Sequence, residues 1–445
     1  MTEPISIVTK DHENSSIEPS LVVISGGTAC NSMVDVFQSL TPNVSYILGL
    51  SDNGGSTSEI LRVFGGPGIG DIRSRLVRLI KIEENDYERI ALRNLLSYRL
   101  PIEGSELDIK CEWLEVVEGT HRLWNGISSE KKEIIRGFLV NLQTEILKRA
   151  HKKFNFRNGS IGNFFLTGAR IFFGSLESAI YIFFVITGIN ESTKVIPITN
   201  TNQNVSIAAE LENGNIILGQ CEISHPSSQQ QQQQKEQKEQ KENSRFTSEN
   251  SCDPFGPVNY KSNLLFNKSE IKVLTRRIKR IYYINDYGQE MFPLPSVNPK
   301  VASSFYTKST LIYSIGSLYT SIMPCLVLKG AGKAIIESTT LKRKILILNG
   351  YNDLETDGYI ASDFVKAIIN GCNSSLKLSG LWSKGYQSNK YISHMIFLDN
   401  SQINVDKLEI EKLGIECIET KGDIKDGKPV YNEDALKDVL NMIVL

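Results

Sequence analysis

Two short apolar runs, each ending just before a pair of glycines, constrain the fold of this chain more than any other feature. The first run, Leu21 to Ile24, precedes Gly26-Gly27, and the second, Val44 to Leu50, precedes Gly54-Gly55. Such runs, bounded by turn residues, are typical of buried parallel strands. Between them, Asn31 to Leu40 has the spacing of an amphipathic helix. The order predicts a βαβ unit, which places both glycine loops side by side at the carboxyl edge of a parallel sheet.

The remainder of the chain extends this pattern into one domain. Residues 84–153 are mostly helical in pattern and predict a helical subdomain. Residues 226–262 contain an uninterrupted glutamine run that cannot bury apolar surface, so we predict a disordered insertion there. The polar residues 1–20 predict a disordered N-terminus. Residues 21–445 are therefore expected to form a single α/β nucleotide-binding domain, with a Rossmann-like, mainly parallel sheet and helices on both faces.

Composition argues against several classes of function. The 49 basic and 50 acidic side chains give no general electrostatic attraction to nucleic acid or to an anionic membrane. The apolar stretch 161–189 is interrupted by Arg170 and Glu177, so we expect two buried helices and no transmembrane segment. Seven cysteines without metal-ligand spacing indicate reduced thiols in a cytoplasmic protein. The neutral net charge and the apolar C-terminal tail leave a homodimer open.

The first glycine loop, Gly26-Gly27-Thr28, has the chemistry of a phosphate-binding turn. Glycines after a strand let the backbone N–H groups approach a phosphate at the start of the next helix. The loop does not have the spacing G-x-G-x-x-G. A tight turn that binds no ligand explains the same residues.

The second glycine loop runs from Asp52 to Thr57 and admits three interpretations. Asp52 stands roughly where a dinucleotide fold carries the acid that binds a ribose hydroxyl. Two glycines and two hydroxyl side chains beside a carboxylate also suit a phosphate cradle, in which Asp52 holds a hydrated magnesium ion. A solvated turn is the third interpretation.

A further glycine-rich stretch, Gly65 to Gly70, leads into a predicted helix whose first turn contains Asp71, Arg73 and Arg75. We interpret Asp71 as a cap of this helix. Arginines in a first turn oppose the helix dipole unless an anion offsets them. We therefore predict that Arg73 binds an anion rather than forming a surface salt bridge, which is the alternative.

Six motifs occur in order over roughly residues 21–369, outside the glutamine-rich insertion. They are Gly26-Gly27-Thr28, Asp52-Asn53-Gly54-Gly55-Ser56, Gly70-Asp71-Ile72-Arg73, Ser160-Ile161-Gly162-Asn163, Gly316-Ser317-Leu318-Tyr319-Thr320-Ser321 and Glu355-Thr356-Asp357-Gly358-Tyr359. Together they resemble the 2-phospho-L-lactate transferase family and its bacterial gluconeogenesis-factor branch. Transferase members move a phospholactyl group from a guanosine diphospho-donor onto a deazaflavin, with magnesium. Members of the other branch bind UDP-sugars and act in carbon metabolism.

The resemblance implies a Rossmann-like fold with the ligand across the loop edge. Asp52 is the implied magnesium ligand and the candidate catalytic residue. The implied nucleotide or phosphate contacts are Gly26, Gly27, Thr28, Gly54, Gly55, Ser56, Arg73, Asn163, Gly316, Ser317 and Thr320. Asn53 stands where the family has a second aspartate, so a weaker metal site is expected.

The sequence leaves three functions open. The first is a magnesium-dependent transferase that acts on a nucleotide-diphospho donor. The second is a nucleotide-sugar-binding regulator without turnover, which the neutral Asn53 slightly favours. The third is a dinucleotide oxidoreductase, which the glycine spacing disfavours.

Overall fold

The computed structural model describes residues 18–149, 151–225, 274–292, 295–381 and 386–444. The predicted insertion at residues 226–262 lies outside these ranges, as do residues 1–17 of the predicted N-terminal segment.

The described chain alternates strands and helices. The strands are β1 (Leu21–Ile24), β2 (Val44–Leu48), β3 (Lys194–Pro197), β4 (Ser206–Leu211), β5 (Ile216–Leu218), β6 (Ile278–Ile284), β7 (Thr310–Tyr313), β8 (Arg343–Ile347), β9 (His394–Leu398), β10 (Glu416–Thr420), β11 (Gly422–Lys425) and β12 (Lys428–Tyr431). The α-helices are α1 (Val34–Leu40), α2 (Gly55–Phe64), α3 (Gly70–Arg78), α4 (Tyr87–Ser97), α5 (Glu106–Glu118), α6 (Ser129–Lys148), α7 (Ile161–Phe173), α8 (Leu176–Thr187), α9 (Gln220–Ser224), α10 (Pro299–Thr307), α11 (Met323–Leu326), α12 (Ala331–Glu337), α13 (Ala361–Leu378), α14 (Lys407–Lys412) and α15 (Glu433–Val444).

Seven strands form the main sheet in the order β10-β9-β8-β7-β1-β2-β3. Every neighbouring pair in this sheet is parallel, and helices flank it, which confirms the predicted Rossmann-like α/β fold. From β1 the chain first adds strands on one side and later on the other, so the strand order reverses between β1 and β7. In such sheets ligands bind outside the carboxyl ends of the strands at this reversal.

The predicted βαβ unit is confirmed. Ile24 at the end of β1 pairs with Ile47 of β2 on one side and with Tyr313 of β7 on the other. All four residues of β1 are fully buried, because a parallel strand in the middle of a sheet is covered on both faces. The loops that follow β1, β2 and β7 consequently emerge at the same edge.

A second sheet is antiparallel, in the order β5-β4-β6. Its β4–β5 hairpin turns at Asn213-Gly214, where Gly214 has a φ of +83°. The hydroxyl of Tyr283 in β6 donates to the carbonyl oxygen of Pro324 in α11, at 2.8 Å. Through this contact the second sheet packs beside the carboxyl edge of the main sheet.

The apolar stretch 161–189 forms helices α7 and α8. Ten successive residues of α7, Ile161 to Arg170, are buried, since α7 packs between α6 and α8. The outer face of α8 differs from the expectation of a buried helix, because Tyr181 and Val185 are 68% and 59% exposed. No helix in the described ranges has both the length and the apolar character needed to span a membrane.

Candidate functional site

Three loops meet at the carboxyl edge beside β1. The first loop (Gly26–Thr28) follows β1, the second loop (Asp52–Ser56) follows β2, and the third loop (Gly316–Ser321) follows β7. The first and third loops touch, because a Cβ atom added to Gly26 would lie 2.4 Å from the Oγ atom of Ser321. The structure thus brings the predicted loops together and adds Ser321 to the site.

A buried arginine on α3 donates hydrogen bonds to the first loop and to the residue before it. Arg75, on α3, is fully buried and donates to the carbonyl oxygen of Gly26 at 3.0 Å and to Ser25 Oγ at 3.2 Å. Its guanidinium also lies over the ring of Tyr46, 4.9 Å from the centroid. These contacts hold the first loop in place. Thr28, at the tip of the loop, is exposed.

Asp52 is oriented by its own loop. Its Oδ1 atom accepts the backbone N–H of Gly54 and its Oδ2 atom accepts the hydroxyl of Thr57, each at 3.1 Å. Burial raises the pKa of Asp52 above its ordinary value, although these two bonds and the charges of Arg73 and Arg99 lower it. The carboxylate is therefore held in one geometry and is costly to ionise in the absence of a cation.

A second carboxylate, that of Asp71, lies close enough to Asp52 for the two charges to interact. Helix α3 begins so close to Asp52 that a Cβ atom on Gly70 would lie 2.0 Å from Asp52 Oδ2. The backbone N–H of Gly27 bonds to Asp71, and burial followed by the charge of Asp52 raises the pKa of Asp71 to about 7. The capping role predicted for Asp71 is wrong, because the N-cap residue of α3 is Ile69.

The two carboxylates fit a hydrated magnesium ion, which takes one or two protein carboxylates and keeps several waters. Among the described residues no group of three or more His, Cys, Asp or Glu side chains could hold a metal. Asn53 does not serve as a ligand beside Asp52, since its Oδ1 atom accepts the backbone N–H of Cys221 at 3.0 Å. Asp71 is therefore the second buried carboxylate at this edge, whereas position 53 carries an amide.

The predicted residues Ser56, Arg73 and Asn163 form one polar cluster. Ser56 Oγ accepts from Asn163 Nδ2 at 3.0 Å and from Nη1 of Arg99 at 3.3 Å. The Nε atom of Arg73 donates to Asn163 Oδ1 at 3.3 Å. Burial, then the charge of Arg99, lowers the pKa of Arg73 to about 10. An anion placed here would relieve the repulsion between the two guanidinium groups.

Thr320 does not face the open side of the third loop. It is buried, and its backbone N–H and that of Tyr319 donate to Oε2 of Glu355 at 3.1 and 2.9 Å. The Thr320 hydroxyl also donates to Glu355. Burial, then the charge of Asp353, raises the pKa of Glu355 to about 7. A carboxylate of the chain itself therefore occupies the N–H and the hydroxyl of Thr320, which was predicted to contact a nucleotide or phosphate.

Replacing Glu355 with alanine should destabilise the fold by about 3 kcal/mol, because several buried donors would lose their acceptor. The loss is measured as a lower midpoint of urea unfolding. Glu355→Gln, which keeps one carbonyl oxygen, should lose less. An unchanged midpoint for Glu355→Ala would show that these hydrogen bonds do not stabilise the fold.

The sequence did not identify Arg99 or Ser321 as site residues, and it did not predict the charge interaction between Asp71 and Asp52. A signal existed for Asp71, which follows a glycine-rich stretch just after the second loop. No local signal marks Arg99, because it reaches Ser56 from beyond the end of α4.

The fold and the site define a Rossmann-like α/β protein whose candidate site lies at the carboxyl edge, on three loops and a pair of carboxylates. Residues 21–422 match the family described as 2-phospho-L-lactate transferase CofD. The chain belongs to this family.

Related proteins extend over nearly the whole chain. An uncharacterized protein of Saccharomyces cerevisiae is 37% identical over 96% of this chain and 99% of its own length. The gluconeogenesis factor of Halalkalibacterium halodurans is 22% identical over 79% of this chain and 74% of its own length. A crystal structure of a Bacillus halodurans protein superposes with a TM-score of 0.60 at 18% identity, covering 95% of this chain and 99% of that one. That structure supports the fold.

Proposed function

We propose that the carboxyl edge binds the diphosphate of a nucleotide together with a magnesium ion held by Asp52 and Asp71. The observation that carries the proposal is the convergence of these two carboxylates, from different elements, on the glycine loops. Neighbouring carboxylates repel each other, and a divalent cation between them removes this repulsion. A diphosphate supplies further oxygen ligands for the same ion.

The backbone and the basic residues around the carboxylates support this proposal. Helix α2 starts at Gly55, so its first N–H groups and its dipole favour an anion at the second loop. Arg99 joins the predicted cluster and adds positive charge on the side of Ser56. The proposed ligand contacts are Gly26, Gly27, Thr28, Gly54, Gly55, Ser56, Arg73, Arg99, Asn163, Gly316 and Ser317.

The first candidate activity is transfer of a phospho-linked group from a nucleotide-diphospho donor. Its support is the description of the family, which names 2-phospho-L-lactate transferase. A bound magnesium ion would stabilise the charge that develops when the bond within the diphosphate breaks and the nucleoside monophosphate leaves. Asp52 and Asp71 would hold that ion, while Arg73 and Arg99 would offset the charge of the transferred group.

The second candidate is binding of a nucleotide-sugar, such as a UDP-sugar, without turnover. Its support is the similarity to the gluconeogenesis factor of Halalkalibacterium halodurans. Both candidates require the same diphosphate cradle. They differ in whether the bond within the diphosphate is broken, so release of nucleoside monophosphate from a bound donor distinguishes them.

A thermal-shift panel of UDP, GDP, UDP-glucose and NAD, each with and without magnesium chloride, tests the proposal. A ligand at about 100 times its Kd should stabilise the fold by about 2.7 kcal/mol. We expect this shift for a nucleoside diphosphate or a nucleotide-sugar, and only with magnesium. A shift with NAD alone, independent of magnesium, would reverse the proposal in favour of an oxidoreductase.

The magnesium dependence of this shift should itself depend on pH. The pKa of Asp71 is about 7, so the ionised form that binds magnesium is roughly ten times scarcer at pH 6 than at pH 8. Magnesium affinity in the presence of saturating nucleotide should therefore fall about tenfold between pH 8 and pH 6. A pH-independent affinity would show that Asp71 is not a ligand.

A further inference from the structure

A short segment of the second sheet lies against the second loop. This segment, Gly219–Ser224, follows β5 and contains helix α9; we call it the strap. It begins at Gly219, whose φ of +87° turns the chain out of the strand. The backbone N–H of Gly219 still donates to the carbonyl oxygen of Ile207 in β4, at 2.8 Å. The strap is therefore anchored on the second sheet and projects from it towards the main sheet.

One end of the strap is bonded to the second loop. Asn53 Oδ1 accepts the backbone N–H of Cys221 at 3.0 Å, and Ser51 Oγ donates to Oε1 of Gln220 at 2.8 Å. The packing is close, since a Cβ atom on Gly54 would lie 3.1 Å from Cys221 Sγ. A Cβ atom on Gly219 would lie 2.9 Å from Asn53 Nδ2. The strap consequently forms a wall directly beside Gly54.

The other end of the strap is bonded to the third loop. The hydroxyl of Ser224 donates to Oε1 of Glu355 at 2.6 Å and lies 3.0 Å from the Thr320 hydroxyl. Glu355 in turn accepts the N–H groups at the start of that loop's helical turn. The strap thus links the loop after β2 to the loop after β7, which belong to different halves of the main sheet.

We propose that the strap covers the diphosphate on the second loop, and that Asn53 and Ser224 are the positioning residues that hold it there. The part of this proposal that concerns the ligand rests on the proposed function. Asn53 suits the task because its carbonyl oxygen accepts a backbone N–H while its amide nitrogen lies against Gly219. Asn53, which departs from the family pattern, thereby acquires a role in closing the site, while Asp71 is the second proposed magnesium ligand.

The reaction of Cys221 with a maleimide tests whether Asn53 holds the strap. The full-length chain with Cys111→Ser and Cys252→Ser is used, because Cys30, Cys325, Cys372 and Cys417 are buried and Cys221 is half-buried. Asn53→Ala should speed the reaction about fivefold to tenfold, the factor that corresponds to the loss of one such hydrogen bond. Ser224→Ala should act in the same direction. Asn285→Ala is the matched control, because Asn285 accepts backbone N–H groups in a turn away from the site.

UDP with magnesium tests whether the strap covers the ligand. Saturating UDP should slow the reaction of Cys221 in the parent chain, and Asn53→Ala should weaken UDP binding about fivefold to tenfold.

Each other outcome overturns a stated part of the proposal. Unchanged thiol reactivity in Asn53→Ala would show that Asn53 does not hold the strap. Weaker UDP binding with unchanged thiol reactivity would make Asn53 a direct ligand contact instead. If the parent chain binds none of the nucleotides, the proposed function fails, and so does the proposal that the strap covers the diphosphate. Faster labelling of Cys221 in Asn53→Ala would still show that Asn53 holds the strap. A melting temperature close to that of the parent is required of every variant.

Discussion

Gly27→Val should abolish magnesium-dependent binding of UDP and lower the stability of the fold. A Cβ atom at this position would lie 2.2 Å from Asp71 Oδ1 and 2.9 Å from the Asp71 Cα atom. Because the second of these contacts is with the backbone, helix α3 itself must shift, and overpacking of this kind costs about 1–3 kcal/mol. The shift also moves Asp71 away from Asp52. Isothermal titration calorimetry and urea unfolding measure the two effects.

Gly55→Ala separates the loss of binding from the loss of stability. Gly55 has a φ of +50° and no atom within 4 Å of an added Cβ, so the cost is about 1 kcal/mol of backbone strain. The added methyl group would nevertheless occupy the mouth of the second loop and weaken UDP binding. Gly214→Ala carries a similar strain, with a φ of +83° and open space, in a hairpin turn away from the site. Normal UDP binding by Gly55→Ala would show that the second loop is only a turn.

The sequence was sufficient for those parts of the fold that depend on local patterns. The runs that form β1 and β2 are apolar throughout, and their flanking glycines mark the turns, so strand, loop and edge could all be predicted. The stretch Tyr319 to Glu337 contains helices but is not one continuous helix. It divides into a π-helical turn, Leu318–Ile322, and helices α11 and α12, with Gly330 at a φ of +97° before α12.

The arrangement of the site depends on contacts between distant residues, which periodicity cannot reveal. Asn53 and Cys221 are 168 positions apart, and Thr320 and Glu355 are 35 apart. In both cases a motif residue bonds to another part of the chain: Thr320 was a predicted ligand contact, and Asn53 stands where the family has a second aspartate. Asp71 shows the converse, because a residue interpreted as a helix cap lies beside Asp52 once α3 packs against the second loop.

Asp71→Asn should remove magnesium-dependent nucleotide binding and at the same time stabilise the metal-free protein. The variant loses one of the two proposed ligands, so the magnesium affinity of the nucleotide complex should fall by roughly 100-fold or more. The carbonyl oxygen of the substituted amide can still accept the N–H of Gly27. The substitution also ends the repulsion with Asp52 that, after burial, raises the pKa of Asp71 to about 7. Calorimetry with and without magnesium and urea unfolding measure both effects. Asp52→Asn should behave in the same way.

The gain in stability expected for Asp71→Asn over the parent chain depends on pH. The pKa of Asp71 is higher in the folded chain than the ordinary value of 3.8, so the parent loses stability as pH rises from about 4 through about 7. Asp71→Asn has no such loss, and the difference should grow over this window to an amount on the order of 2 kcal/mol. Asp35→Asn is the control, since Asp35 is an exposed acid paired with Arg78. If Asp71→Asn were less stable than the parent at pH 8, the two carboxylates would not repel each other, and the argument for a cation between them would fail.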